Sequence, residues 1–197
     1  MTDRLDGIVL GTGHNALVLQ AYLCRAGLRV LSVDRAETPG GGLATVENPR
    51  HPGFLHNTHS FFHRAITAMP WYVDLELERH GASYIEPELN VAMICPDGRV
   101  LKWWRDLDRT LESVAAISSR DAKVLAAWIE RFEPIVDGLL VPEASSPPLP
   151  PELRRERLER TAEGRLLMEV SASSPLEFVR SEFEDPTVRA GLLFFNG

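Results

Sequence analysis

Cysteine is nearly absent from this chain. Cys24 and Cys95 are the only two in 197 residues, far apart and without metal-ligand spacing. Neither a disulfide framework nor a cysteine-built zinc site is available to it. The expectation is a reducing, cytoplasmic setting, with room for a peripheral association with a membrane. A surplus of positive charge is also missing. Lys and Arg number 21 against 28 Asp and Glu, for a net charge of −7, which argues against nucleic acid as the main partner. No apolar run reaches the span of a bilayer, so no transmembrane segment is expected. The opening residues, Met1 to Asp6, lack the basic and then apolar pattern of a signal peptide. There is no internal repeat, no nucleophile elbow and no Walker A lysine. Glu76 and Glu78, two apart, would not share a helix face as an acid–base pair. What remains is a chain that is 44% hydrophobic, enough for one domain with a sizeable core and part of a second.

Against these absences, glycine is concentrated near the start. Ile8-Val9-Leu10 is a short apolar run that suits a buried parallel strand. Gly11-Thr12-Gly13-His14-Asn15-Ala16 follows, then a helical segment to Arg25 with Leu17, Ala21 and Cys24 on one stripe and Gly27 as its stop. A second apolar run, Arg29 to Val33, ends at Asp34. This is the order of a β-α-β dinucleotide-binding unit. Gly11 lets the chain turn off the strand, and Gly13, lacking a Cβ, lets a pyrophosphate reach the backbone. The helix that follows, from Asn15, points free N–H groups and its positive end at that phosphate. Ala16 is small enough to keep helix and strand close. His14 reads equally as a group near the pyrophosphate or as a surface turn residue. The Asp34 carboxylate can accept the ribose hydroxyls, and no basic residue replaces it to favour a 2′-phosphate; Arg35 joins it in the candidate set.

Gly40-Gly41-Gly42 comes too soon after Asp34 for an ordinary crossover helix, and its bare N–H groups can crowd a phosphate or ribose. This second cluster points to FAD rather than NAD. With it the chain resembles the phytoene-desaturase-like FAD-dependent oxidoreductases. The resemblance is carried by Gly11 to Ala16, Leu28 to Asp34, Gly40-Gly41, Thr45, Pro52-Gly53-Phe54 and the Pro96-Asp97-Gly98-Arg99 turn. Asp34 stands where family members commonly carry Glu. The resemblance implies desaturation, dehydrogenation or isomerisation of a lipophilic, isoprenoid-like substrate, and it singles out no catalytic residue here. The chain matches only the first part of a full family member.

The fold expectation is therefore α/β: a Rossmann-type FAD-binding β-α-β unit over 1–80, then part of an α+β substrate domain over 81–197, completed by another chain. Val46 to Gly53 reads as a loop, Trp71 to His80 as a helix stopped by Gly81, and Ala82 to Ile85 as a short strand. Phe54 to Met69 could pack on a flavin edge or cap the core. Val91 to Ile94 and Arg99 to Trp104 flank Cys95-Pro96-Asp97-Gly98, a strong hairpin signal. Asp108 to Ile117 and Ser119 to Phe132 read as helices, with Ser119 as a plausible N-cap and Pro134 expected to kink or end the second. Pro142 to Pro151 has the composition of a linker, and Glu152 to Arg160 that of a solvated helix face. Ser174-Pro175 and Asp185-Pro186 have the form of helix starts. The last helix, from Pro186, ends in Leu192-Leu193-Phe194-Phe195, expected to lie uncovered.

His56, His59 and His63, with His51 nearby, would share a face if helical, but no Cys, Asp or Glu completes a zinc set, and no metal is expected. Trp103, Trp104 and Trp128 could line a substrate cavity, though such aromatics are more often core; adjacent tryptophans on a strand face opposite sides. The functional expectation is the FAD-binding subunit of a split flavoenzyme, with a second polypeptide supplying the middle and C-terminal parts. The alternatives are an amine-oxidase-superfamily flavoenzyme and a non-catalytic structural subunit.

Overall fold

The structure is a computed structural model that describes residues 4–57, 59–60, 62–63 and 66–195. Two units, Met1–Ser83 and Tyr84–Gly197, each hold together by their own contacts. In the first, β1 (Gly7–Leu10) leads into α1 (His14–Arg25), which returns the chain to β2 (Val30–Val33). The strands are parallel, with Ile8 opposite Leu31 and Leu10 opposite Val33. The helix ends where Gly27, at φ +86°, turns left-handed. There the Gly27 and Leu28 amides donate to the carbonyls of Cys24 and Leu23, closing the last turn. Gln20 ties α1 to β2 by donating to the Val30 carbonyl and accepting from the Ser32 hydroxyl. The face of α1 turned to the sheet thus runs through Ala16, Gln20 and Leu23, while Leu17 and Cys24 are exposed, which corrects the expected stripe.

The two strands alternate cleanly. Gly7, Val9, Val30 and Ser32 are half-buried on one face. The other face carries Ile8, Leu10, Leu31 and Val33, exposed by 62%, 84%, 45% and 40%. The expectation of buried strands is met on one side only, because a single helix covers a single face.

Residues after the second glycine cluster depart from expectation. Val46 and Glu47 are not loop but part of β3 (Thr45–Glu47), antiparallel to β4 (Leu55–Asn57). Asn48 turns the chain by accepting the Arg50 amide, and Glu47 accepts the Gly53 amide. The 71–80 helix is shorter than expected: α2 spans Pro70–Asp74. Glu76, at φ +51°, takes a left-handed conformation that no helix continues. No strand forms at 82–85.

In the second unit β5 (Leu89–Ile94) and β6 (Val100–Trp104) form the expected hairpin, with a bulge between Leu89 and Val91. Then come α3 (Leu107–Ala115) and α4 (Ser119–Ile135). Ser118, not Ser119, caps α4, accepting the Asp121 amide. Pro134 does not end it. The chain continues through a wide turn over Val136–Leu140, where the i→i−4 pattern lost at the proline is absorbed, into α5 (Val141–Ala144). The 142–151 stretch lies inside this unit, and Arg154 spans it to pair with Glu143 at 2.9 Å. The remaining helices are α6 (Pro151–Glu159), α7 (Ala162–Ser171), α8 (Pro175–Glu182) and α9 (Pro186–Phe195). Both helices expected from their prolines start there, α8 with a reciprocal cap between Ser174 and Glu177.

Leu101, Val114, Leu125, Val179, Phe183, Val188 and Leu192 form the core. Burying a leucine or valine of this kind contributes about 1.5–3 kcal/mol. Gly191 and Gly164 permit the closest approaches. A Cβ on Gly191 would lie 2.3 Å from a Leu101 methyl, and one on Gly164 would lie 2.1 Å from the Leu158 carbonyl oxygen. The terminal apolar run is largely covered, correcting the expectation: Leu192 is core, Phe195 packs edge-on against Trp103 at 5.2 Å, and Phe194 alone of the four stays exposed. Among the described residues no helix is long and apolar enough to cross a membrane.

Candidate functional site

Because β1 and β2 run parallel, their C-terminal ends come out together, and Gly11 emerges beside Asp34. The Gly11 amide donates to the Val33 carbonyl at 2.6 Å, and Gly11 itself turns at φ +108°, a conformation that suits glycine. The Asp34 carboxylate then takes hold of the turn. It accepts the Thr12 amide at 2.7 Å and the Thr12 hydroxyl at 3.1 Å on one oxygen, and the Ala36 amide at 2.9 Å on the other. These donors, the Ala36 amide foremost, hold its pKa below the ordinary carboxylate value. Asp34 was expected to face ribose hydroxyls. It also clamps the glycine turn, so fewer of its roughly four lone-pair sites stay open to a ligand. Sequence reasoning passed over Thr12, although the parallel strand ends were signal enough to pair it with Asp34.

Gly13 precedes α1 with φ −68° and ψ 165°, an ordinary extended conformation, and α1 has no side-chain cap at this end. The amides of His14, Asn15 and Ala16 stand in the first turn, where an α-helix has no internal acceptor for them. The helix end is therefore available to an anion. A Cβ on Gly13 would meet no protein atom within 4 Å. His14 and Asn15 are exposed and Ala16 is half-buried.

The second glycine cluster closes on the first. The Gly40 amide donates to the Thr12 carbonyl at 2.8 Å, and Gly40 pairs with Gly13 in a parallel bridge. Gly40 and Gly41 both have positive φ, +116° and +58°. A Cβ on Gly41 would come within 3.0 Å of the Gly13 Cα. Thus Gly11, Gly13, Asp34, Gly40 and Gly41 come together around Thr12. A groove of about 450 Å³ lies along Leu10, Gly11, Val33, Asp34 and Arg35. Gly42 is exposed, and the Thr45 hydroxyl donates to Asn57 at 2.6 Å across the β3–β4 hairpin.

The histidines share no helix. His56 lies on β4, whereas His51, His59 and His63 lie in irregular chain. Among the described residues no three His, Cys, Asp or Glu side chains are placed to hold a metal. The three tryptophans considered for a cavity each have a packing partner. Trp103 faces the core, Trp104 lies under the Arg109 guanidinium at 3.5 Å, and Trp128 packs on Phe178 and donates to Glu182.

Residues 9–71 match the family described as NAD(P)-binding Rossmann-like domain. A limonene dehydrogenase subunit of Castellaniella defragrans is 34% identical over 192 residues, which is 97% of this chain and 34% of that relative. Hydroxyneurosporene desaturase of Rhodobacter capsulatus is 27% identical over 139 residues, 71% of this chain and 27% of the desaturase. Pyridine nucleotide-disulfide oxidoreductase domain-containing protein 2 of Rattus norvegicus is 28% identical over 143 residues, 69% and 24% of the two chains. The chain thus spans between 24% and 34% of the length of these relatives. Similarity to a dehydrogenase subunit and a desaturase runs well beyond the dinucleotide unit and supports the phytoene-desaturase-like family of oxidoreductases for this chain.

Proposed function

We propose that this chain is the FAD-binding subunit of a split flavin-dependent oxidoreductase, of the desaturase, dehydrogenase or isomerase type. Its substrate is lipophilic and isoprenoid-like, and a second polypeptide supplies the middle and C-terminal parts of the enzyme. The observation that carries the reading is the joint between the two glycine clusters at the open end of α1. The residues there fit the cofactor: space beside Gly13 that a Cβ would fill, uncommitted first-turn amides, and a carboxylate at the end of β2. Gly11, Gly13, His14, Asn15 and Ala16 would hold the pyrophosphate. Asp34, with Arg35 beside it, would hold the adenosine ribose, and Gly40, Gly41, Gly42 and Thr45 would close the other side through their backbone. Bound FAD supplies the redox chemistry, while the protein binds, orients and excludes water. The names of two relatives, one a limonene dehydrogenase component and the other a hydroxyneurosporene desaturase, support the substrate class. The need for a second polypeptide is supported by the apolar face of β1 and β2, since parallel sheets are covered on both faces.

The test is to co-express the chain with its adjacent reading frame, purify the assembly, denature it and identify the released nucleotide by chromatography. FAD is expected, with a flavin absorption spectrum before denaturation. Release of NAD or FMN refutes the cofactor. A monodisperse chain that holds FAD and turns over substrate by itself refutes the split arrangement.

A further inference from the structure

The two outer edges of the β5–β6 hairpin are treated differently. In an antiparallel pair, residues alternate between those whose backbone groups bond across the ladder and those whose groups point away from it. The Cys95 amide bonds across to the Arg99 carbonyl at 2.8 Å. By alternation Met93 and Leu101 also bond across, whereas Ala92, Ile94, Val100 and Lys102 point outward. On the β6 side α3 engages the outward groups of Lys102 and Trp104. The Lys102 amide donates to the Ser113 hydroxyl at 2.8 Å, and the Trp104 amide donates to the Thr110 hydroxyl at 2.9 Å. The Thr110 hydroxyl in turn donates to the Trp104 carbonyl. On the β5 side, among the described residues, nothing donates to or accepts from the outward groups of Ala92 and Ile94. The bulge after Leu89 limits the regular edge to Val91–Ile94, and the Ile94 side chain is 77% exposed. An unpaired edge of this kind is a template for another strand, and a two-stranded sheet is marginal without one.

We propose that the β5 edge over Val91–Ile94 is where the second polypeptide joins this chain, by adding a strand to the hairpin. The inference rests on the split-enzyme reading above. The occupant is an extended segment of about four residues, long enough to pair along this edge. Its core-side residues are apolar, to continue the layer of Val91 and Met93. It comes from the part of the enzyme that this chain does not span, given that 192 matched residues make up only 34% of the dehydrogenase relative. The β6 edge takes no strand, because the Ser113 and Thr110 hydroxyls already occupy it.

Hydrogen exchange read by mass spectrometry, on the full chain alone and on the assembly with the product of its adjacent reading frame, tests this. In the lone chain the Ala92 and Ile94 amides should exchange at least tenfold faster than those of Lys102 and Trp104, and in the assembly they should slow by at least tenfold. Ala92→Pro removes an outward amide without breaking the ladder and should weaken assembly at least tenfold. Ile94→Lys places a charge on the same edge and should act in the same direction. Circular dichroism of each variant separates lost assembly from lost folding. If the assembly forms with Ala92 and Ile94 unprotected, or both folded variants assemble as the parent does, the edge assignment fails while the split reading stands. If no assembly forms, both fail. Concentration-dependent protection in the lone chain would assign the edge to a second copy and overturn the proposal.

Discussion

The two units spend their apolar residues in opposite ways. In the first, Tyr72 is the one buried side chain among the described residues, while Ile8, Leu10, Leu31 and Val33 face outward. In the second, buried residues from β6, α3, α4, α8 and α9 close on one another, and even the terminal Leu192 and Phe195 are taken in. The contrast follows from local chemistry. Helices that bring two faces together can seal a core with their own residues. A parallel pair of strands with one crossover helix covers one face only. One chain can therefore carry a self-supporting helical body and also a β-α-β unit whose second sheet face is apolar and exposed.

The sharpest way to separate the units is Gly13→Val. At φ −68° with no protein atom within 4 Å of a new Cβ, the substitution leaves the fold unstrained and fills the space assigned to the pyrophosphate. Complete loss of FAD retention with an unchanged circular dichroism spectrum is expected. An absorbance ratio equal to that of the parent assembly would count decisively against the site.

Asp121→Ala attacks the other unit. Its carboxylate is fully buried and accepts the Glu184 and Asp185 amides and the Arg120 guanidinium, tying α4 to the turn before α9. Burial alone would raise its pKa. The two backbone amides and then Arg120 outweigh burial and hold it below the ordinary value. Removing it leaves the Glu184 and Asp185 amides without their acceptor and should cost about 1–3 kcal/mol for each in urea denaturation. A folded pKa below the unfolded one means the stabilisation is complete above the unfolded value, near pH 4, and fades as pH falls through the folded one. The parent should therefore lose stability on acidification, and the variant should show a shallower slope. A variant within experimental error of the parent at neutral pH would remove Asp121 from the account of this core.

Leu10→Lys should have the smallest effect on the isolated chain, within about 0.5 kcal/mol, because an 84% exposed side chain loses little contact. In the assembly the same lysine would be forced beneath a covering element, and complex yield should fall. A large destabilisation of the lone chain would show instead that this face is already covered.

Much of this was legible in sequence because punctuation residues announce themselves. Glycines marked the ends of β1 and α1, Cys95-Pro96-Asp97-Gly98 marked the hairpin, and prolines marked the starts of α8 and α9. What was not legible depends on residues distant in the chain. Gly164 and Gly191 look like stray glycines until Leu158 and Leu101 are seen against them. Asp121 reads as an ordinary helix-surface acid until the turn at 184–185 arrives over it. Strands β3 and β4, three residues each, are too short for alternation to be read. The clamp on Thr12 needed the strand register, not just the motif.

Thr12 is held on every polar atom for which the turn offers a partner: its amide and hydroxyl by Asp34, its carbonyl by Gly40. A glycine-rich loop left free would lose conformational freedom when it closed on a ligand, and affinity would fall accordingly. Here that ordering is completed during folding. A dinucleotide bound as proposed would therefore meet amides already fixed in direction.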